Sequence, residues 1–161
     1  MPSYMGNHPC YCGNKGCFVA ETSEQAIVSK LHYGMQFTNN QNTQQQSIQN
    51  NNGEITIDTF IESVLNHDTE VMELFHEICE LYSVIIVQIA NYYNPKCVYI
   101  CGRICDIGKP FLSKLNELLE GRFRKPANPP EIILMQNHID GGHAAACMAM
   151  ENVCSVINYI V

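Results

Sequence analysis

Three cysteines within one short segment constrain this chain more than any other feature. Cys10-Tyr11-Cys12-Gly13-Asn14-Lys15-Gly16-Cys17 has the spacing C-x-C-x4-C. Gly13 and Gly16 let the backbone fold back, so the three sulfurs are expected to converge. Converging thiolates suit Zn²⁺, which takes four tetrahedral sulfur and nitrogen ligands. Cys10, Cys12 and Cys17 leave one place to fill. His8 stands close by, although His8-Pro9-Cys10 is a tight span for two ligands of one ion. A redox-active C-x-C pair and three unligated thiols are the other readings of the loop. No Glu adjoins a cysteine to act as a general base, so a metal here is expected to be structural rather than hydrolytic.

The remaining composition narrows the setting. The chain has 161 residues, 46 % of them hydrophobic, which suffices for one domain with a sizeable core. Its nine cysteines are an odd number, and Met-Pro-Ser-Tyr-Met-Gly-Asn-His has neither the basic start nor the apolar stretch of a secretory signal. Reduced thiols and a cytoplasmic location are therefore expected. No apolar run approaches the roughly 18 residues of a membrane-spanning helix. The net charge is −7, with only nine Lys and Arg, the densest cluster being Arg122, Arg124 and Lys125. Such a chain is a poor nucleic-acid binder by itself, because phosphate neutralisation dominates that affinity.

Along the chain, Thr22-Ser23-Glu24-Gln25 reads as a capping box with Thr22 as N-cap, opening a helix from about Ser23 to Tyr33. Residues 36–52, QFTNNQNTQQQSIQNNN, form a polar low-complexity tract read as a loop between helices. Thr56 is expected to cap a short helix containing Ile57, Phe60, Ile61 and Val64. Asp68 is expected to cap a long one carrying Val71, Leu74, Phe75, Ile78, Tyr82, Ile85, Ile86 and Ile89 at helical spacing, its C-terminal half deeply buried. Asn94-Pro95 ends that helix. Lys96–Gly102 and Glu131–Met135 read as strands, with a helix from Pro110 to Gly121 between them and a final helix after Gly141-Gly142. This order predicts an α/β domain with a parallel strand pair.

The cysteine loop resembles that of the ROK family (repressors, open reading frames and sugar kinases), whose pattern runs C-x-C-G-x-x-G-C-L-E after an upstream Gly-His. Thr56-Ile57-Asp58-Thr59-Phe60-Ile61 with His67-Asp68 is similar to a family segment preceding its long helix. Asn94-Pro95-Lys96-Cys97-Val98-Tyr99-Ile100-Cys101-Gly102 resembles the family's N-P-x-x-I-x-I-x-G strand, and Gly142-His143-Ala144-Ala145-Ala146 its closing G-A-A helix. The details look most like the glucose and N-acetylglucosamine repressors.

The resemblance implies the C-terminal lobe of an actin-like, ribonuclease H-like ATPase-type fold, with the N-terminal lobe missing. Residues 1–17 would be the zinc loop and residues 18–161 the α/β lobe. It implies structural Zn²⁺ on Cys10, Cys12 and Cys17, with the fourth ligand a His upstream of Met1 and His8 as the fallback. The sugar-contacting Glu of the pattern falls at Val19, which accepts no hydrogen bond. Glu21 is a weak candidate to replace it, and Gly102 and Arg103 are candidate ligand contacts where the kinases have Gly-Gly. The phosphate loop D-x-G-x-T and the Asn-Asp pair of the kinases have no counterpart, so no catalytic residue is assigned and the chain is not expected to be an enzyme alone.

Three functions follow as expectations. The first is a sugar-responsive transcriptional regulator whose DNA contacts lie in an absent N-terminal segment, whose ligand is a sugar or sugar phosphate, and which self-associates as a dimer or tetramer. The second is the C-terminal half of a ROK sugar kinase, inactive alone. The third is a truncated interaction protein with uncovered apolar surface. No membrane partner is expected.

Overall fold

A computed structural model describes residues 6–38, 55–123 and 129–135, with the backbone alone for 34–38. The helices are α1 (Phe18–Thr22), α2 (Glu24–Thr38), α3 (Ile57–Leu65), α4 (Thr69–Tyr93) and α5 (Lys109–Glu120). The strands are β1 (Cys97–Cys101) and β2 (Glu131–Met135), and a 3₁₀ turn covers Arg103–Ile107. β1 and β2 pair in parallel, with Cys97 opposite Glu131 and Cys101 opposite Met135. The linking α5 packs its Phe111, Leu115 and Leu119 inward, as a crossover helix must.

The core joins α2, α3, α4 and α5 to the strands. Ile27 and Leu31 of α2, Phe60 and Val64 of α3, Phe75 and Ile78 of α4, Ile100 of β1, Phe111 and Leu115 of α5 and Ile132 of β2 are all buried in one cluster. Four aromatic rings stitch it. Tyr82 meets Phe18 edge-on at 5.0 Å and Phe111 edge-on at 5.3 Å, and Phe111 lies 6.5 Å from Phe75. Edge-to-face pairs at this spacing contribute beyond their buried area.

Several local expectations hold. Thr56 caps α3 through a reciprocal box with Thr59. Asp68 is the N-cap of α4, but without a side-chain bond; its carbonyl accepts from the Met72 N–H instead. Asn94 closes α4 in the left-handed conformation (φ 45°), which Asn tolerates better than most residues.

Others are corrected. The helix expected from about Ser23 is α2, preceded by the separate short helix α1, and its cap is Ser23, not Thr22: Ser23 Oγ accepts from the Ala26 N–H. The Thr22 hydroxyl instead donates back to the Phe18 carbonyl at 2.8 Å. The second helix runs on through Thr38, so the first three residues of the polar tract are helical, while 39–52 lie outside the described residues. Full burial of α4 ends at Ile86, residues 87–90 are half-buried, and Tyr92 and Tyr93 are exposed. Gly121 caps α5 with φ −80°, so the left-handed C-cap expected of a glycine is not used. The expected final helix, with His138 and His143, lies outside the described residues, as do 124–128.

Candidate metal centre

The cysteine loop folds into a tight hairpin. The Cys10 N–H donates to the Asn14 carbonyl (2.8 Å), the Gly13 N–H to the Cys10 carbonyl (2.9 Å) and the Gly16 N–H to the His8 carbonyl (3.0 Å). Pro9 and Lys15 form an antiparallel bridge. Gly13 and Gly16 both have positive φ (86° and 65°), as such a reversal requires. A Cβ at Gly16 would also overlap the Gly6 carbonyl, so the loop's two sides touch at this point.

Folding this way gathers the Sγ atoms of Cys10, Cys12 and Cys17 within 4.8 Å of one another. Cys12 and Cys17 are 3.6 Å apart, and Asn14 Nδ2 donates to the Cys12 sulfur at 3.5 Å. A tetrahedral ion with sulfur ligands at about 2.3 Å spaces them about 3.8 Å apart, so the cluster can hold a metal ion with little rearrangement. The three differ in setting. Cys12 is exposed, Cys10 half-buried and Cys17 buried at the head of α1.

Their proton affinities diverge accordingly. The Asn14 backbone N–H, with help from the Cys17 and Cys10 thiols, lowers the Cys12 thiol to about 7. Cys17 is raised to about 11, chiefly because its thiol serves Cys12 as a donor and secondly by burial. Protons on these thiols are therefore shared within the cluster, Cys17 being the more basic sulfur. Metal ligation displaces such protons.

His8 does not join the cysteines. Its Nδ1 lies 2.7 Å from Glu21 Oε2, and its backbone N–H donates to Glu21 Oε1 at 3.0 Å. Glu21 is 1 % exposed and also meets the Lys30 ammonium at 3.0 Å, which continues to Glu77 of α4 at 2.6 Å. Burial pushes the Glu21 carboxyl up, but the His8 N–H, the Lys30 ammonium and the His8 ring outweigh it, and the net direction is down. Sequence reasoning placed Glu21 as a weak sugar contact and missed this network. Its members stand 9 and 13 residues from Glu21, so no helical or strand spacing marks them.

Two open cavities flank α1. The larger, about 440 Å³, is lined among others by His8, Tyr11, Ser23, Lys30 and Tyr33. The smaller, about 260 Å³, is lined among others by Phe18, Tyr82, Gly102 and Arg103. Val19 lines both, and Glu21 lines neither. Gly102 ends β1 with φ 109°. Arg103 is committed: its Nη2 is paired with Asp58 and its Nε donates to Asp106 at 2.9 Å. A doubly paired guanidinium has little charge left to offer a phosphate. Among the described residues, His76 is exposed and Met72 packs against the core, while Cys105 is buried and donates to the Ile100 carbonyl.

The ROK family model matches residues 2–150, and the chain belongs to the ROK family. Among solved structures it is similar to a ROK hexokinase from Thermus thermophilus (14 % identity, TM-score 0.61, covering 80 % of this chain and 38 % of that one). It is similar to a ROK transcriptional regulator homologous to the Escherichia coli MLC protein (16 %, 0.63, 80 % and 31 %). It is also similar to a ROK glucokinase from Streptomyces griseus, solved with glucose and AMPPNP (18 %, 0.66, 84 % and 45 %). No curated protein matches the chain. The chain spans less than half the length of these three structures. With its mixed helices and strands, it shares the actin-like ATPase-type fold of the family's sugar kinases. Among the described residues no helix is long and apolar enough to cross a membrane.

Proposed function

We propose that this chain is the zinc-bearing C-terminal lobe of a sugar-responsive ROK transcriptional regulator. Zn²⁺ would sit on Cys10, Cys12 and Cys17 and shape the wall of a sugar site. The lobe would respond to a sugar or sugar phosphate between it and an N-terminal lobe. It would self-associate as a dimer or tetramer in the cytoplasm and reach DNA through a separate segment.

The observation that carries this reading is a thiol cluster that, among the described residues, has no unpaired carboxylate beside it. The nearby carboxylate, Glu21, is engaged on both oxygens by His8 and Lys30. A metal there would brace the loop rather than activate water. The paired Arg103 and apolar Val19 add to it, since phosphoryl transfer relies on cations and on hydrogen-bonding groups that position the reactants.

A second reading, the C-terminal half of a ROK sugar kinase, is favoured by the hexokinase and glucokinase similarities. The reading frame upstream of Met1 separates the two. A basic helix-turn-helix is expected, and a D-x-G-x-T phosphate loop with sugar-dependent ATP turnover by the encoded protein would overturn the regulator reading. Elemental analysis is expected to find about one zinc per chain, with three thiols protected from alkylation until a chelator is added.

A further inference from the structure

We propose that Glu21 is the positioning residue of the cysteine loop: acting through His8, it holds the three sulfurs in a metal-receptive arrangement without touching the metal. The inference rests on the metal-centre reading above and deepens it.

A buried carboxylate is costly unless charged or polar donors satisfy it. Glu21 is 1 % exposed, and its donors lie on two sides. On one side Lys30 of α2 bonds it and continues to Glu77, tying it to α4. On the other side is His8, two residues before Cys10, which gives it both a backbone N–H and a ring nitrogen. His8 is in turn the junction of the loop, because its carbonyl accepts the Gly16 N–H at 3.0 Å. The far end of the loop meets the same place: the Glu21 N–H donates to the Cys17 carbonyl at 3.2 Å. Residues 8–17 are therefore closed into a ring, and Glu21 is its clasp.

The clasp separates two groups of sulfurs. Cys17 is fixed by α1 whatever happens to the loop. Cys10 and Cys12 are placed against it by the hairpin that His8 starts. Releasing His8 from Glu21 removes the hairpin's tie to α1 and leaves only its internal bonds, the Gly16 N–H to the His8 carbonyl among them, to hold Cys10 and Cys12 against Cys17. Neither Glu21 nor the His8 Nδ1 atom is free for a metal while they hold each other. Groups that orient metal ligands from behind in this way typically contribute 10–100-fold in affinity.

The test uses the whole chain, titrated anaerobically with Co²⁺ and followed by the thiolate-to-cobalt absorption band, with Zn²⁺ as competitor. E21Q, which preserves size and removes charge, is expected to weaken binding by about 10–100-fold. H8A, which removes the ring bond at a half-exposed position and leaves the backbone N–H, is expected to weaken it by about tenfold. H8N, whose amide can donate in place of Nδ1, is expected to restore most of that loss. Far-UV circular dichroism checks the fold of each variant; should E21Q unfold, the H8A and H8N pair decides alone. Wild-type chain that binds no Co²⁺ overturns the metal reading and this inference with it. Wild-type binding that H8A and a folded E21Q leave unchanged overturns this inference alone.

Discussion

Gly6 lies flush against the carboxylate of Glu21, so close that a Cβ at position 6 would overlap Oε1, Cδ and Cγ. The overlapped atoms are pinned by His8 and Lys30 and cannot swing aside cheaply. Gly6→Ala is therefore expected to destabilise the fold by about 1–3 kcal/mol, the usual cost of overpacking. Gly121→Ala is the control, since a Cβ there meets nothing and the backbone is helical. It is expected to be neutral or to stabilise by about 0.4–1 kcal/mol. Urea unfolding of the two variants beside wild type checks both signs.

Acid should loosen the same clasp. The folded Glu21 carboxyl is held below its ordinary value, so in the unfolded chain it binds a proton more readily than in the folded one. Its contribution to stability is complete above the unfolded value, about 4.3. It fades as pH falls from there through the depressed folded value. Urea midpoints of wild type and E21Q measured from pH 7 to pH 3 are expected to converge at the acid end. Parallel curves across the range would contradict the prediction.

The aromatic stack makes a second, independent claim. Phe111 has no exposed surface and sits between Phe75 and Tyr82, joining α5 to α4. Phe111→Ala is expected to cost about 3–5 kcal/mol through lost transfer energy and the cavity left behind. Chemical denaturation checks it.

Thiol chemistry should be ordered by position. In metal-free protein Cys12 is exposed and its thiol is lowered to about 7, whereas Cys17 is buried and raised to about 11. Iodoacetamide followed by peptide mapping is expected to label Cys12 before Cys17. Adding Zn²⁺ is expected to suppress labelling of Cys10, Cys12 and Cys17 together.

The convergence of Cys10, Cys12 and Cys17 was legible in the sequence because spacing and glycines act within one short segment. The Thr56 cap, the apolar face of α4 and the parallel β1–β2 pair were legible for the same reason: each follows from local periodicity or from element order. The break at Ser23 was not, because Thr22 and Ser23 are both good caps and only packing decides which carbonyl or N–H each hydroxyl reaches. Nor was the exposure of Tyr92 and Tyr93, since an apolar stretch on a helix does not say how far its neighbours extend. The Glu21 network was the least legible part. It joins a loop residue, a residue of α1 and a lysine of α2, which only tertiary structure brings together.

The other buried thiols among the described residues give the chain something unrelated to metals. Cys79 and Cys105 have no exposed surface, and burial raises them to about 12 and about 11. One sits on α4 and the other in the turn after β1, two elements that meet in the same core cluster. While the fold is closed, both are chemically silent at neutral pH. Each therefore works as an internal clock for its own region: it is modified only when that region opens, and two clocks on one chain report whether the regions open together or apart.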